Sequence, residues 1–218
     1  KGNYQTVIGA GAQMLSTSDD IVMIGDFSYA DDPCTRSVII GSSATLESSV
    51  GNDVVMIGAY TYAGDASRNF VLIGSGANLT GSETYLVGIG EDLAVSKGDS
   101  VTIGGRSSIR LGYSNATEGI FLGMGTEFEF CDRSIVLSHN GYVEADDSIV
   151  IGHEVEAYGL RNIILGAQAI NSFASGFRDD MILIGYGSAN SVSNRMQIGG
   201  NRADLTISNK TGNFQPGD

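Results

Sequence analysis

The chain has two histidines among its 218 residues, and imidazole is a common ligand of transition metals. His139 and His153 each follow a predicted turn, and Glu154 stands beside the second. If their repeats stack, as argued below, the two rings could lie one above the other, where pH or a metal ion could act. Neither histidine has ligand-like spacing within a helix or hairpin. We therefore interpret both as solvated surface residues and predict no metal site.

Paired acidic residues are a second chemical candidate, because rows of carboxylates can bind calcium. They stand before several predicted strands, at Asp19-Asp20, Asp31-Asp32, Asp146-Asp147 and Asp179-Asp180. The nonapeptide spacing of calcium-binding β-rolls is missing, and Asp is a normal turn residue, so we interpret the pairs as turns. No serine, histidine and aspartate converge on a predicted cleft. We predict no catalytic residue, no enzyme activity and no cofactor.

The two cysteines, Cys34 and Cys131, lack metal-ligand spacing such as C-x-x-C and are too few to staple a secreted fold. Both stand seven positions before the last residue of a repeated motif, where the other repeats mostly have small residues. They are six repeats apart, roughly 29 Å at the spacing of stacked strands, whereas a disulfide needs Cα atoms within about 7 Å. We predict small, buried, free thiols.

Five aromatic residues are the predicted binding residues of the chain. Phe27, Tyr29, Tyr60, Tyr62 and Tyr142 fall on a predicted outer strand, where alternation points them outward. The first two pairs stand two repeats apart, about 10 Å, and exposed rings at that distance could stack on an extended glycan. The alternative is that aromatic residues are favoured in any strand and pack against a neighbouring chain.

A repeated strand motif positions all of these residues. Apolar residues followed by a glycine, or in one copy by a serine, recur thirteen times at spacings of 14 to 19 residues. The residue before the last position is always Ile, Leu or Val, and turn-forming residues flank the motif, which predicts a short strand and not a helix. The motifs end at Gly9, Gly25, Gly41, Gly58, Gly74, Gly88, Gly104, Gly123, Ser138, Gly152, Gly166, Gly185 and Gly199.

A more polar segment follows each motif, and its third residue is usually small, as in Ser28, Ala44 and Thr61. Small inward residues suit two strands that face each other closely. We therefore predict an all-β fold, a parallel β-roll or β-solenoid of about thirteen two-stranded coils, roughly 60 Å long. This repeat domain would span residues 1–200, and 201–218 would form a C-terminal β extension or begin a following segment. Longer spacings before Gly123 and Gly185 predict two bulging insertions.

Both faces of each predicted strand are apolar, although a solenoid coil buries only its inner face. A second apolar face along the whole rod needs identical neighbouring chains, so we predict a homo-oligomer. The residues predicted to form its core and trimer contacts precede the final glycine, at Ile24, Ile40, Ile57, Ile73, Ile103, Leu122, Ile151, Leu165 and Ile184.

A net charge of −13 sets nucleic acid and anionic membrane surfaces aside as partners. No apolar run approaches the roughly 18 residues that span a bilayer, so we expect no membrane insertion. The 31 glycines lack the every-third-residue spacing of collagen, and 42% hydrophobic residues argue against disorder.

The repeat from Asn52 to Gly64, NDVVMIGAYTYAG, resembles the head repeats of trimeric autotransporter adhesins, the YadA-like family. Similar repeats occur in phage tail fibres. The resemblance covers about residues 3 to 200. It implies a left-handed parallel β-roll, three chains around a three-fold axis and attachment to a surface, and it implies no catalytic residues.

The function we expect is receptor binding by a trimeric fibre on the virion, most simply a phage tail fibre that attaches to a surface glycan or surface protein of its host. Two cysteines favour a fibre assembled in a reducing cytosol over export through an oxidising periplasm. The alternatives are the head of a bacterial adhesin on the outer membrane, which would bind host matrix, and a passive spacer. Hexapeptide acyltransferases need coils of eighteen residues with an aliphatic residue every six, which this chain lacks.

Overall fold

A computed structural model describes residues 4–14, 19–31, 34–47, 52–64, 68–80, 84–95, 99–105, 108–110, 118–129, 131–144, 146–168, 170–171, 179–187, 189–190, 195–198 and 205–208. Every regular element in these residues is a β-strand, which confirms the all-β prediction. None of the described segments is a helix of the length and apolarity that a membrane span requires.

The 26 strands are short and alternate between two sheets. In chain order they are β1 (Gln5–Ile8), β2 (Gln13–Met14), β3 (Asp19–Ile24), β4 (Tyr29–Asp31), β5 (Thr35–Ile40), β6 (Thr45–Glu47), β7 (Val54–Ile57), β8 (Tyr62–Gly64), β9 (Arg68–Ile73), β10 (Asn78–Thr80), β11 (Thr84–Ile89), β12 (Ala94–Val95), β13 (Ser100–Ile103), β14 (Ser108–Arg110), β15 (Gly119–Met124), β16 (Glu127–Glu129), β17 (Ser134–His139), β18 (Tyr142–Glu144), β19 (Ile149–His153), β20 (Glu156–Tyr158), β21 (Ile163–Leu165), β22 (Ile170–Asn171), β23 (Ile182–Ile184), β24 (Ala189–Asn190), β25 (Arg195–Ile198) and β26 (Leu205–Ser208).

The odd-numbered strands and β26 form a 14-stranded sheet, sheet A, and the other even-numbered strands form a 12-stranded sheet, sheet B. Each strand pairs in parallel with the strand two places later in the chain. Among the described strands, the one antiparallel pair joins β26 to β25 at the end of sheet A. The chain therefore winds as a β-solenoid between two facing parallel sheets, as the sequence predicted.

The core lies between the two sheets, because alternate side chains of each strand point inward. Sheet A contributes the middle residue of its motif, such as Met23, Ile39 and Leu72, and all three are fully buried. Sheet B contributes the central residue of its short strands, such as Leu46 and Leu79. The residue three places after the final glycine is also buried in several coils, whereas Ala12 in the first coil is only partly buried. The buried ones include Ser28, Ala44, Thr61, Ala77 and Thr126.

The motif register in β11 differs from the one the sequence predicted. We expected Gly88 to end this copy, but the structure pairs Gly88 with Leu72 and Thr102, which are core positions. Ile89 pairs with Ile73, so Gly90 takes the place of the final glycine. The prediction was wrong because two glycines stand two residues apart, and alternation alone fits either register.

The final glycine of the motif is required by close approach of neighbouring coils. Gly74 has a φ of +145°, and a Cβ built on it would lie 1.8 Å from the carbonyl oxygen of Gly90 in the next coil. No side chain fits at that distance, and the positive φ adds strain for any other residue. The glycine column therefore allows the stacking itself.

Two turn columns also use the left-handed region, and here most of the residues are not glycine. Tyr60 has a φ of 57° and Asp147 a φ of 52°, for example. Such a conformation costs roughly 1–3 kcal/mol for a residue with a side chain. Each of these turns is held by the coil below, since Tyr60 N donates to Ser42 O at 2.9 Å and Asp147 N donates to Asp132 O at 2.8 Å.

Several sequence predictions lie outside the described residues. They are the insertions at 111–117 and 172–178, the small residues Ser107, Ala169 and Ser188, the second aspartate of the pair at 31–32, and the segments 199–204 and 209–218.

Candidate functional site

The outward side of sheet A is a continuous aliphatic surface, which we call the apolar face. Two residues of each strand from β3 to β25 form it, in two columns that follow the strand register. The first column runs from Val22 to Met196 and the second from Ile24 to Ile198, and in these twelve strands both contain only Val, Ile, Leu and Met. No charge interrupts the surface.

The nine residues that the sequence assigned to core and trimer contacts all lie in the second column of the apolar face. They are half-buried or exposed in the single chain; Ile57 is 36% exposed and Ile103 is 42% exposed. The inner core is instead filled by their neighbours, such as Met56 and Thr102. Ile89 belongs to the same column, and the misplaced register of β11 hid it from the sequence prediction.

The five predicted binding aromatics all lie on the solvent side, in two different settings. Phe27 and Tyr60 sit in left-handed turns before sheet B and are 69% and 68% exposed. Tyr29, Tyr62 and Tyr142 each begin a strand of sheet B, point outward and are half-buried. The first group projects from a corner of the rod, and the second group lies on its broad face.

Tyr29 and Tyr62 belong to a group of aromatic and acidic residues, the first cluster, which also contains Asp31 and Glu47. Tyr29 and Tyr62 flank Thr45 in one column, and Asp31 and Glu47 are neighbours in the next column. Tyr62 Oη donates a hydrogen bond to Glu47 Oε2 at 3.0 Å. Partial desolvation raises the pKa of Tyr29, and the charge of Asp31 and a hydrogen bond to it raise that pKa further. The Tyr29 phenol therefore stays protonated at neutral pH.

The Tyr62 ring has a defined place because the next residue on its side of the strand is glycine. A Cβ on Gly64 would lie 2.7 Å from Tyr62 Oη and 3.1 Å from Tyr62 Cε1. The ring therefore lies along its own strand, over Gly64, and Gly64 is buried beneath it. The edge of the ring from Cε1 to Oη therefore lies against the backbone, and the side chain as a whole is half-buried.

A second cluster on sheet B also combines two tyrosines with two carboxylates. The rings of Tyr142 and Tyr158 lie 5.6 Å apart, tilted by 42°. Tyr142 pairs with Glu156, and Glu144 pairs with Tyr158, so aromatic and acidic residues alternate. Desolvation raises the pKa of Tyr158, and the charges of Glu156 and Glu144 raise it further. The sequence prediction missed Tyr158, because only the strand pairing brings it beside Tyr142.

His139 and His153 are paired in register, and their rings stack with centroids 5.0 Å apart and planes within 14°. The predicted stacking is confirmed. His153 is exposed, as expected for a solvated residue, whereas His139 is half-buried and its Nδ1 is enclosed without a hydrogen-bond partner. The carboxylate of Glu154 lies beside His153, with Oε2 3.9 Å from His153 Nδ1. Within the described part of the chain, no group of three or more His, Cys, Asp or Glu could hold a metal ion.

Two of the acidic pairs contribute carboxylates to ion pairs along one corner of the rod. Arg133 Nε and Nη2 bind the two carboxylate oxygens of Asp147 at 2.6 and 2.9 Å. Arg161 binds Asp180 in the same way two coils further along, at 2.6 and 3.0 Å. The hydrogen bond from Arg133 lowers the pKa of Asp147, and Arg161 lowers that of Asp180. These exposed ion pairs tie neighbouring coils together.

Cys34 and Cys131 are buried free thiols, which confirms the prediction from their column. Cys131 Sγ donates to Val143 O at 3.1 Å. The two cysteines therefore belong to the packed interior and offer no reactive site at the surface.

Comparison with known proteins does not assign this chain to a family. No protein-family model matches the sequence, and no curated protein matches it. The likeness to adhesin head repeats rests on the motif residues alone, so no family is assigned. What the geometry establishes is a parallel β-solenoid with an apolar face on sheet A and an acidic, tyrosine-bearing face on sheet B.

Proposed function

We propose that three copies of this chain assemble through the apolar face into a fibre that attaches to the surface of a cell. In this proposal each chain is a left-handed β-roll of about thirteen coils. The apolar faces meet around a three-fold axis, and the three copies of sheet B face outward. The fibre carries no catalytic residue and needs no cofactor.

One observation supports the assembly above all others, namely the length of the apolar face. A monomeric protein rarely exposes a contiguous apolar patch of more than a few hundred Å². Here 24 aliphatic residues in two registered columns stand half-buried or exposed on one side of twelve strands. Charged residues would keep such a surface soluble, and neither column has one. A symmetric contact with further copies of the same chain covers the face along its entire length.

The setting we propose is a phage tail fibre that recognises a glycan on a bacterial surface, because both cysteines are free thiols. A protein that folds in a reducing cytosol keeps such thiols without risk of wrong pairing, whereas export through the periplasm selects against them. Exposed aromatic residues on sheet B and at its turns supply surfaces on which sugar rings can stack. The alternative head of a bacterial adhesin would use the same assembly to bind host matrix.

The mass of the purified chain in solution tests the assembly. Sedimentation equilibrium should give three times the 22.7 kDa of one chain. The double variant Ile57→Asp, Ile73→Asp places unpaired carboxylates inside the contact, which costs several kcal/mol for each buried charge, and it should sediment as a monomer. Ala94→Asp adds one carboxylate at an exposed position of sheet B, outside the proposed contact, and this variant should stay trimeric.

A wild-type chain that is monomeric at every concentration would contradict the proposal, and so would a trimer that survives both aspartates. Attachment is tested separately with the intact trimer and bacterial cells. Cells that retain none of the labelled trimer would reduce the function to that of a passive spacer.

A further inference from the structure

We propose that the first cluster, formed by Tyr29, Asp31, Glu47 and Tyr62, binds an amino-sugar unit of a surface glycan. The ligand class is a polysaccharide with free, protonated amino groups. This inference rests on the proposed function, since it names the chemistry that the outward face of the fibre recognises. It goes beyond a general aromatic surface because it assigns separate roles to the rings and the carboxylates.

The rings supply a stacking surface. Tyr62 lies along its strand over Gly64, so its ring is held against the backbone while the side chain stays half-exposed. Tyr29 stands two strands away in the same column, about 10 Å along the rod, with Thr45 between them. A supported ring loses little conformational freedom when a ligand stacks on it. Thr45 leaves a low floor between the two rings, on which a sugar unit can lie.

The carboxylates select the charge of the ligand. Asp31 and Glu47 are exposed and adjacent in the column beside the rings, and no lysine or arginine occurs in strands β2 to β12 of sheet B. An ammonium group on the ligand would gain charge-assisted hydrogen bonds to these carboxylates and a cation–π contact with the tyrosine faces. An acidic sugar would be repelled, since the whole chain carries a net charge of −13.

A basic peptide satisfies the carboxylates but makes poorer use of the rings. The ring of Tyr62 is held against its own strand, and such a surface suits a rigid sugar ring better than a flexible lysine side chain. The geometry therefore favours a sugar that carries an amine over a peptide, and the peptide is one of the probes below.

The second cluster extends the proposal along the same chain. Tyr142, Tyr158, Glu144 and Glu156 repeat the combination of rings and carboxylates on the same face. Strand β18 lies five strands beyond β8 in sheet B, which is roughly 24 Å. One extended polysaccharide chain could reach both clusters, so longer oligomers should bind more tightly than short ones.

The test compares two oligosaccharides of equal length on the intact protein by isothermal titration calorimetry. The probes are a β-1,4-linked glucosamine hexamer, which carries free amines, and its fully N-acetylated counterpart. The amine form should bind more tightly. Tyr62→Ala or Tyr29→Ala should weaken binding of either hexamer by about three- to tenfold, which is the usual contribution of one aromatic contact.

Two further variants separate the roles. The double variant Asp31→Asn, Glu47→Gln should remove the preference for the amine form and keep the weaker binding of the acetylated form. Gly64→Ala removes no group that contacts the ligand but displaces the Tyr62 ring, and it should weaken binding about as much as Tyr62→Ala. The matched controls are Tyr186→Ala, an exposed tyrosine in the turn between β23 and β24, many coils from the first cluster, and Asp92→Asn, an exposed turn carboxylate. Neither control should change binding.

Equal affinity for the two hexamers would overturn the proposal, and so would an effect of Tyr186→Ala as large as that of Tyr62→Ala. Tighter binding of an oligolysine peptide, dependent on the same four residues, would overturn it in favour of a basic protein partner. The outcomes also separate this inference from the proposed function. A trimer that attaches to cells but ignores the amine hexamer refutes only the inference, whereas a monomeric chain refutes the fibre.

Discussion

The coil around β11 exchanges the sizes of two core residues, and this exchange predicts a measurable rescue. In neighbouring coils the core position of sheet A holds a large residue such as Leu72, and the position three after the final glycine holds a small one such as Ala77. Here Gly88 takes the first position, and Leu93 takes the second. A Cβ on Gly88 would lie 3.0 Å from Leu72 Cδ1 and 3.2 Å from Leu93 Cδ2. Leu93 therefore fills the volume that Gly88 leaves.

The magnitude follows from this packing. Leu93 is fully buried, so Leu93→Ala should lower the free energy of unfolding by about 2–5 kcal/mol through lost burial and an unfilled cavity. Gly88→Leu alone overpacks the site and should cost about 1–3 kcal/mol. The double variant restores the arrangement of the other coils and should cost less than about 1.5 kcal/mol, because the total volume is kept. The coupling between the two changes is then at least about 1.5 kcal/mol.

Urea unfolding at a fixed chain concentration, followed by circular dichroism, measures the four corners of this cycle. Leu46→Ala is the matched control, since Leu46 is also fully buried but lies several coils away. Gly88→Leu should not rescue it. If the effects of Gly88→Leu and Leu93→Ala simply add in the double variant, the idea that the two residues share one space is refuted.

Three further outcomes are expected from the glycine column, the ion pairs and the buried thiols. Gly74→Ala would place a Cβ 1.8 Å from Gly90 O at a φ of +145° and should lower stability by about 3 kcal/mol or more; an unchanged thermal midpoint would contradict the close approach. Arg133 lowers the pKa of Asp147, so the contribution of this carboxylate is present above the unfolded value of about 3.9 and is lost as the pH falls below it. The stability difference between wild type and Asp147→Asn should therefore shrink in acid, and a difference constant with pH would refute the pairing. Cys131 is buried, so a thiol reagent should modify it only after denaturation, and rapid reaction with the native protein would contradict its placement.

The sequence by itself determined the strand type, the two-sheet coil and the double apolar character of sheet A. Each of these depends on local chemistry that the repeat shows many times. β-Branched residues such as Val22 and Ile24 flank a core residue, Met23, and turn-forming residues bound them, so the strand and its alternation follow without any long-range information. The burial of Cys34 and Cys131 followed in the same way, because their column holds small residues in the other repeats.

The candidate binding site was only partly predictable. Alternation from the small inward residue placed Tyr29 and Tyr62 outside, as the structure has them. It did not place Glu47 beside the Tyr62 hydroxyl, or Gly64 beneath the ring, because those contacts depend on which coil stacks on which and on the direction of the side chain. The glycine at position 64 was the one sign of this arrangement in the sequence. Its role is clear only from the structure, where the Tyr62 ring covers it.

Tertiary structure alone decided the register of β11 and the contact between the rings of Tyr142 and Tyr158. Gly88 and Gly90 each follow an aliphatic residue, so both fit the motif equally well in the sequence. The choice between them depends on the volume beside Leu72 and Leu93 and on the backbone carbonyl of Gly90, which passes close to Gly74. Left-handed turns at residues such as Tyr60 were likewise set by hydrogen bonds from the neighbouring coil. The physical reason is the same in each case. Local propensity is repeated within every coil, whereas packing volume and backbone contact are properties of two coils together.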